Sequence, residues 1–323
     1  MDSLIDQASD AEILLVDDGS SDASHDLCDA YADRYPFVRA FHQQNAGPSA
    51  ARNVGLTAAA GEYVMFSDAD DFWEPGTLAA LEKALPADLL IFGVFDDIFE
   101  GGRLVASRAW GLEARGYAGP RELLLDFHAL LGNNLLYSQC TKVYRRELLA
   151  DLRFDETLSM GEDITFNLGY IPRIASARVV EGSFYHYVHL AEGGSLTSSY
   201  YPDLFENVCR VRQEQLALLR QWDAYSLENE LALRNYFLGR ISSAVQNEYS
   251  FPQTLKEKYR RIKAILLSPE AADAAQGAPE NRFHRILAGL IRRRQALLGC
   301  AMFSLLKFMK KHAAGFIARR RGR

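Results

Sequence analysis

The chain has 323 residues, of which 48% are hydrophobic and 24% charged, and a formal net charge of −6, enough apolar content for buried cores in two or three domains or subdomains. Its four cysteines, Cys28, Cys140, Cys209 and Cys300, show neither the pairing of a disulfide framework nor metal-ligand spacing, which points to reduced cytosolic thiols. No internal repeat is visible, no signal peptide opens the sequence, and no apolar run reaches the roughly 18 residues that a spanning helix needs.

Glu12-Ile13-Leu14-Leu15-Val16 reads as a strand that runs into Asp17-Asp18-Gly19-Ser20-Ser21-Asp22. The glycine permits a tight turn, and Ser20, Ser21 or Asp22 can cap the helix that follows, with Leu27, Ala30 and Tyr31 on one face. A short strand at Val38–His42 comes next. Gly47-Pro48-Ser49 then reads as a turn, with Ser49 capping a helix over 50–59 and Arg52 in its first turn. Tyr63-Val64-Met65-Phe66 predicts a second buried strand, ending in Asp68, Asp70 and Asp71. Two parallel strands delivering acids to one rim point to a ligand site, because ligands of open α/β sheets lie beyond the carboxyl ends of the strands. Clustered carboxylates are costly unless a cation neutralises them, and hard oxygen donors suit Mg²⁺ or Mn²⁺ carrying a substrate diphosphate. The competing reading of each acidic run is a helix cap with acids in the first turn.

Leu89–Phe95 predicts a further buried strand, with a hairpin turn at Gly101-Gly102. Met160-Gly161-Glu162-Asp163 is a glycine turn with adjacent acids opening an apolar helix. Neighbouring helix residues diverge by about 100°, so only one acid can face a common ligand. From Pro202 the pattern turns helical, over 204–219, 227–248 and 255–267, and the Ala/Gly/Pro-rich stretch 268–280 reads as a linker.

Order, spacing and strand context of three segments resemble the inverting family 2 glycosyltransferases, which have the A-type glycosyltransferase fold. The segments are Val16–Asp22, Asn45–Gly55 and Gly61–Asp71. The resemblance is specific over residues 12–85, continues more weakly to about 200, and gives no guidance beyond. It implies an α/β fold with a Rossmann-like nucleotide-binding sheet: a nucleotide-sugar half over 1–98, an acceptor-binding half over 99–200, and a helical region over 201–267.

By the same resemblance, Asp18 accepts from the ring nitrogen of a uracil-type base, Asp17 supports the turn or the ribose, and Arg52 approaches base or phosphates. Asp68 lies near the ribose, Asp70 holds Mn²⁺ or Mg²⁺, and Asp71 caps a helix near Pro75 or orders the site from behind. Asp163 is implied as the base that deprotonates the acceptor, with Glu162 positioning it. Lys142 is read as an electrostatic helper or a helix-boundary lysine, His186 as a further metal ligand or a packing residue, and 193–197 as a loop covering the diphosphate. Trp73 is expected to pack the corner after the acids.

One departure stands out. The sequence as given holds no strand before the one ending in Asp18, and family members place their first strand centrally, between those ending in Asp18 and Asp68. This leaves a non-catalytic nucleotide- or carbohydrate-binding relative as the alternative to an enzyme. An aspartyl phosphotransferase using Asp68 is weaker, because Asp71-Phe72-Trp73 does not supply the loop it needs.

Charge is segregated along the chain. Residues 281–323 contain twelve Lys or Arg and no acid, which leaves 24 basic against 42 acidic side chains before them. Ile286, Leu290, Leu297, Leu305 and Phe308 interleave with those cations. A basic amphipathic segment is expected to bind anionic lipid rather than nucleic acid, the competing reading being a helix packed on the body. The combined expectation is metal-dependent transfer from a UDP-sugar to a glycan or lipid-linked acceptor in envelope polysaccharide synthesis, in the cytoplasm at the inner face of the membrane.

Overall fold

The computed structural model describes residues 1–8, 10–190, 200–250, 254–279 and 281–321, with side chains to Met309. It divides into two units, Met1–Ser195 with Gln213–Ser226, and Leu196–Arg212 with Leu227–Arg323.

The first unit opens with a single helical turn, α1 (Asp2–Ile5), then β1 (Ile13–Asp17), α2 (Ser24–Arg34), β2 (Val38–His42) and α3 (Pro48–Ala58). Short strands β3 (Tyr63–Val64) and β4 (Phe72–Trp73) flank the acidic segment, and α4 (Thr77–Glu82) follows. The long strand β5 (Leu89–Glu100) and β6 (Arg103–Trp110) form the predicted hairpin, turning at Gly101 and Gly102 with φ of 54° and 75°. Beyond it lie β7 (Arg115–Tyr117), α5 (Pro120–Leu125), α6 (Phe127–Gly132), β8 (Lys142–Arg145), α7 (Glu162–Tyr170) and β9 (Ala177–Leu190).

Seven strands form a mixed sheet in the order β3-β8-β5-β9-β4, with β6 beside β5 and β7 beside β9. The run Leu89-Leu90-Ile91-Phe92 is apolar without alternation because this stretch of β5 has neighbours on both edges and is covered on both faces, none of the four being more than 2% exposed. Strand β9 lies parallel to β5, and β8 antiparallel.

The β1–β2 pair is a separate, parallel two-stranded sheet. Among the described residues no strand pairs with the other edge of β1, and β3 pairs only with β8. The interruption expected between the strands ending in Asp18 and Asp68 is therefore present. Side chains span it. Glu12 accepts from the amides of Ala60 and Gly61 at 2.6 and 2.9 Å, and the Asn53 amide pairs with the Phe154 backbone at 2.8 and 3.0 Å.

Several local expectations change. Leu27 is 56% exposed and α2 buries no residue, so the predicted face of that helix is not a core face. Helix α3 starts at Pro48 with Gly47 (φ 93°) before it, because proline suits the first helical position; Ser49 is buried rather than capping, and Arg52 falls in the second turn. The strand expected over 63–66 pairs only at Tyr63 and Val64.

The second unit is helical, with α8 (Leu204–Gln221) reaching it through Leu204–Arg212, then α9 (Leu227–Ser250), α10 (Leu255–Leu266), α11 (Pro269–Ala274), α12 (Arg282–Arg292) and α13 (Ala296–Arg321). The stretch read as a linker contains α11. Ser268 caps it by accepting from Ala271, its alanines 271, 274 and 275 are fully buried, and Asp273 binds Arg234 at 2.8 Å and also Arg212. Small side chains here permit close helix packing, which composition alone does not distinguish from a linker. The basic segment is likewise not free-standing. Leu287, Ala288, Ile291, Ala296 and Phe303 are buried, whereas Leu297, Leu298, Leu305, Phe308 and Met309 are exposed.

At Gly93 an added Cβ would lie 2.3 Å from the Trp110 carbonyl oxygen and 2.6 Å from that of Gly182, both backbone atoms. Gly93→Ala is expected to destabilise the chain by about 2 kcal/mol or more, as overpacking does. Gly116→Ala, with nothing within 4 Å of its Cβ, serves as the near-neutral control in urea unfolding. Equal midpoints for the two variants would show that β5 has room the geometry denies.

Candidate active site

The acidic turn after β3 is built from both ends. The Asp71 amide donates back to the Asp68 carbonyl at 3.3 Å, closing a tight turn over 68–71. Tyr185 of β9 accepts from the Asp68 amide at 2.9 Å, and its hydroxyl donates to Asp71 Oδ2 at 2.6 Å. Asp71 Oδ1 accepts from the Val188 amide at 2.8 Å. Burial raises the Asp71 carboxyl to about 6 despite those two hydrogen bonds, with the charges of Asp70 and Asp68 adding to the rise. Burial also pushes the Tyr185 phenol far up, so it remains a donor. Asp71 thus orders the turn from behind, the second of its two expected roles, while α4 begins only at Thr77 after Gly76.

Asp70 stands at the exposed corner of this turn and has no side-chain partner among the described residues. Asp68 is half-buried and gives Oδ1 to Arg52 Nη2 at 3.1 Å. Two carboxylates two residues apart, one wholly uncommitted and one half committed, fit an Mg²⁺ or Mn²⁺ that takes its remaining ligands from phosphate and water.

Arg52 is the centre of the arrangement. Besides Asp68, its Nη1 donates to Asp163 Oδ1 at 3.0 Å and lies 3.4 Å from Glu162 Oε1, and its guanidinium carbon sits 5.4 Å from the Phe154 ring centroid. The side chain is only 16% exposed. Burial opposes its charge, but Asp163 and Asp68 outweigh that and hold the guanidinium protonated beyond the ordinary arginine range. Arg52 therefore joins the acid of the donor side to the acids of α7.

Asp163 and Glu162 open α7 behind Gly161, whose φ of 96° sets the turn. Burial pushes the Asp163 carboxyl well above the ordinary carboxylate range; Arg52 works against this, and Glu162 and Asp68 work with it. Gln139 completes the cluster. The hydrogen-bonding pattern orients its amide nitrogen toward Asp163, at 2.8 Å from Oδ2 and 3.1 Å from Oδ1, and its oxygen toward Arg52 Nη2 at 2.8 Å. Behind α7, Tyr144 donates to Asn167 at 2.5 Å, and Asn167 donates to the carbonyls of Leu136 and Tyr137.

Asp18 turns toward its own loop. Its Oδ1 accepts from Gln43 Nε2 at 2.6 Å and the Ala46 amide at 2.9 Å, and its Oδ2 from the Gly47 amide at 2.7 Å. It holds the segment leading into α3, with lone-pair capacity left for one further donor. Gly19 (φ 73°) is required there, since a Cβ would meet the Asn45 amide at 2.8 Å. Asp17 supports the turn by accepting from the Ser20 amide at 2.9 Å.

Other expected residues are engaged within the protein. Lys142 is 2% exposed and donates to the carbonyls of Leu135 and Ser138, and burial lowers it to about 7. His186 donates or accepts at both nitrogens, to Asp97 at 2.7 Å and Glu74 at 2.9 Å, and is sandwiched between Phe72 and Phe95. Both of its ring nitrogens thus face carboxylates. Trp73 packs against Phe92 and Tyr185, as expected for the corner. The loop 193–197 lies outside the described residues. Gln139 and Tyr185 are the members of the site that the sequence did not single out. Both lie in stretches that resemble the family, 138–146 and 185–187, but only the fold gives either residue a role.

Residues 1–153 match the family described as Glycosyl transferase family 2. The chain is 27% identical over 289 residues to the uncharacterized glycosyltransferase EpsJ of Bacillus subtilis, covering 86% of this chain and 82% of that protein. It is 26% identical over 280 residues to the poly(ribitol-phosphate) β-N-acetylglucosaminyltransferase TarS of Staphylococcus aureus, covering 83% of this chain and 44% of that protein. The crystal structure of TarS residues 1–349 in complex with UDP-GlcNAc superimposes with a TM-score of 0.57 at 23% identity, covering 88% of this chain and 79% of that one. The likeness establishes the A-type fold.

Replacing Arg52 by Gln leaves Asp68, Glu162 and Asp163 facing one another without their cation. Breaking such a buried ionic cluster destabilises on the order of 3 kcal/mol. The loss is expected to be largest at pH 8 and to shrink as pH falls and Asp163 takes up its proton. Urea unfolding of both chains from pH 5 to pH 8 measures this, and a gap independent of pH would mean that Arg52 acts through packing alone.

Proposed function

Because its family 2 domain makes this chain a glycosyltransferase, we propose that it transfers a sugar, with inversion, from a UDP-sugar to a hydroxyl of an envelope glycan or lipid-linked acceptor. The observation that carries this reading is the cluster in which Arg52 joins Asp68, beside the uncommitted Asp70, to Asp163. The TarS complex with UDP-GlcNAc supports the donor class, and the poly(ribitol-phosphate) in the name of TarS supports a polymer acceptor.

In this reading Asp70 and the free oxygen of Asp68 hold Mn²⁺ or Mg²⁺, which supplies charge neutralisation for the departing diphosphate. Asp18 and its loop receive the base. Asp163 accepts the acceptor's hydroxyl proton while the new bond forms between that oxygen and the anomeric carbon, and the bond from the anomeric carbon to the diphosphate breaks. An elevated proton affinity suits a base working near neutral pH, and Gln139 and Arg52 fix its orientation. Activity is therefore expected to fall as pH drops through the raised Asp163 range, with the carboxylate protonated and unable to accept.

Calorimetric titration with UDP, with and without Mn²⁺, tests the donor site. Asp70→Ala is expected to lose the metal-dependent part of binding, whereas Asp163→Asn keeps UDP binding and loses transfer by about two orders of magnitude or more. UDP affinity indifferent to both metal and Asp70 would remove the metal from the reading. Metal-dependent binding without any turnover by the unaltered chain would favour a non-catalytic binder.

No helix among the described residues is long and apolar enough to cross a membrane. We place the protein at an anionic membrane surface through α13. Its exposed Leu297, Leu298, Leu305, Phe308 and Met309 span about 120° of the helix at 3.6 residues per turn, opposite buried Phe303. The twelve cations of 281–323 add electrostatic attraction that salt weakens. Since α12 and the start of α13 are packed, substitution tests this better than deletion. The triple variant Leu298→Gln, Leu305→Gln, Phe308→Gln should pellet several-fold less with phosphatidylglycerol vesicles. Unchanged pelleting would return the segment to a packing role.

A further inference from the structure

A second cluster of ligating side chains lies at the carboxyl end of the β1–β2 sheet, apart from Asp68 and Asp70. Asp17 ends β1, His42 ends β2, and the two are register partners in the parallel pair. His25 comes from the first turn of α2. Asp17 Oδ1 is occupied by the Ser20 amide, so Oδ2 alone faces the histidines. Nδ1 of His25 and Nδ1 of His42 each lie 3.1 Å from that one oxygen. The three ligand atoms fall within 4.8 Å of one another, and the imidazole centroids are 3.9 Å apart.

This spacing has a specific meaning. Ligand atoms around a tetrahedral ion with bonds of 2.0–2.1 Å stand about 3.3 Å from each other. Hydrogen bonding alone would need both Nδ1 atoms to carry protons and to share one oxygen. A cation instead accepts both nitrogen lone pairs and the carboxylate oxygen together. The outer layer is also in place, because Asp29 on the next turn of α2 takes His42 Nε2 at 3.0 Å and lies 3.8 Å from His25 Nε2. A carboxylate on the far nitrogen fixes the tautomer that leaves Nδ1 free to ligate, the arrangement that surrounds metal-bound histidines.

We propose that Asp17, His25 and His42 bind a divalent transition ion of the Zn²⁺ type, with Asp29 orienting His42. Two imidazoles and one carboxylate suit such an ion better than Mg²⁺ or Ca²⁺, which prefer oxygen ligands alone. The side chains of His25 and His42 are 49% and 29% exposed, so the ion can enter and keep a water in its fourth position. Its effect is mechanical: it fastens the ends of β1 and β2 to α2 beside the turn that carries Asp18.

The full chain, purified without a histidine tag and stripped with chelator, is titrated with Zn²⁺ alone against a chromogenic competitor, and with Co²⁺ by visible absorption. One ion per chain is expected, giving the intense absorption of tetrahedral Co²⁺ and raising Tm. His25→Ala and His42→Ala should each weaken binding at least tenfold and abolish the Tm shift, and Asp29→Asn should weaken it several-fold. Asp70→Ala should bind as the unaltered chain does, which separates this site from any ion held at the acidic turn. Circular dichroism of the stripped variants identifies any that fail to fold, and Asp29→Asn, which alters no ligand, then carries the test. Absence of binding by the unaltered chain at micromolar Zn²⁺, or binding indifferent to both histidines, would overturn the proposal and leave a hydrogen-bonded Asp–His bridge.

Discussion

Everything at the site is arranged around one desolvated cation. Arg52 cannot shed its proton, and its planar guanidinium presents several donors in fixed directions. Asp68, Glu162 and Asp163 arrive from the acidic turn and from the start of α7, and each would repel the others without it. A lysine could neutralise them only as a point charge. The guanidinium satisfies separate oxygens in separate directions and so also fixes where each acid stands. The position of α3 follows from the same need, because Arg52 reaches the acids only if Pro48 starts the helix and Asn53, its neighbour, locks onto the Phe154 backbone.

Much of this was legible in the sequence because the informative residues are local. Asp17-Asp18-Gly19 and Asp68-Ala69-Asp70-Asp71 each follow an apolar run, and strand ends carrying acids need no tertiary information to be noticed. The Gly101-Gly102 hairpin and α8–α10 were legible for the same reason, through turn chemistry and period. What escaped was set by long-range contact. The direction of Arg52 depends on α7, more than a hundred residues away in sequence, and no local pattern shows that its partners are acids rather than phosphate. That Asp18 also holds its own loop is not legible locally, because Gln43 and Gly47 reach its carboxylate only after β2. The alanines of α11 read as a linker until helix packing gave small residues a purpose.

The acidic turn shows a division of labour between adjacent carboxylates. Asp71 is buried against β9 and bound by Tyr185 and Val188, while Asp70 faces outward. Burial of the one fixes the exposure of the other, since residues in a tight turn cannot change direction independently. Tyr185 holds both ends of the turn, accepting at Asp68 and donating at Asp71, so the spacing of the donor-side acids is dictated by a strand from the far end of the unit.

The interrupted sheet has a consequence for cooperativity. Amides of β5 at Leu89–Ile91 are laddered on both sides and deeply covered, so they open only with the unit as a whole. The β1–β2–α3 fragment is joined to that core by Glu12, Arg52 and Asn53, through side-chain bonds that can be released without disturbing β5. Bonds of that kind would open at a lower free energy than the ladder of β5. A nucleotide held between Asp18 on one fragment and Asp68 on the other would act as a removable rung across the break. Its binding energy would then be spent partly on closing the protein, and the order of the donor half would rise and fall with ligand concentration.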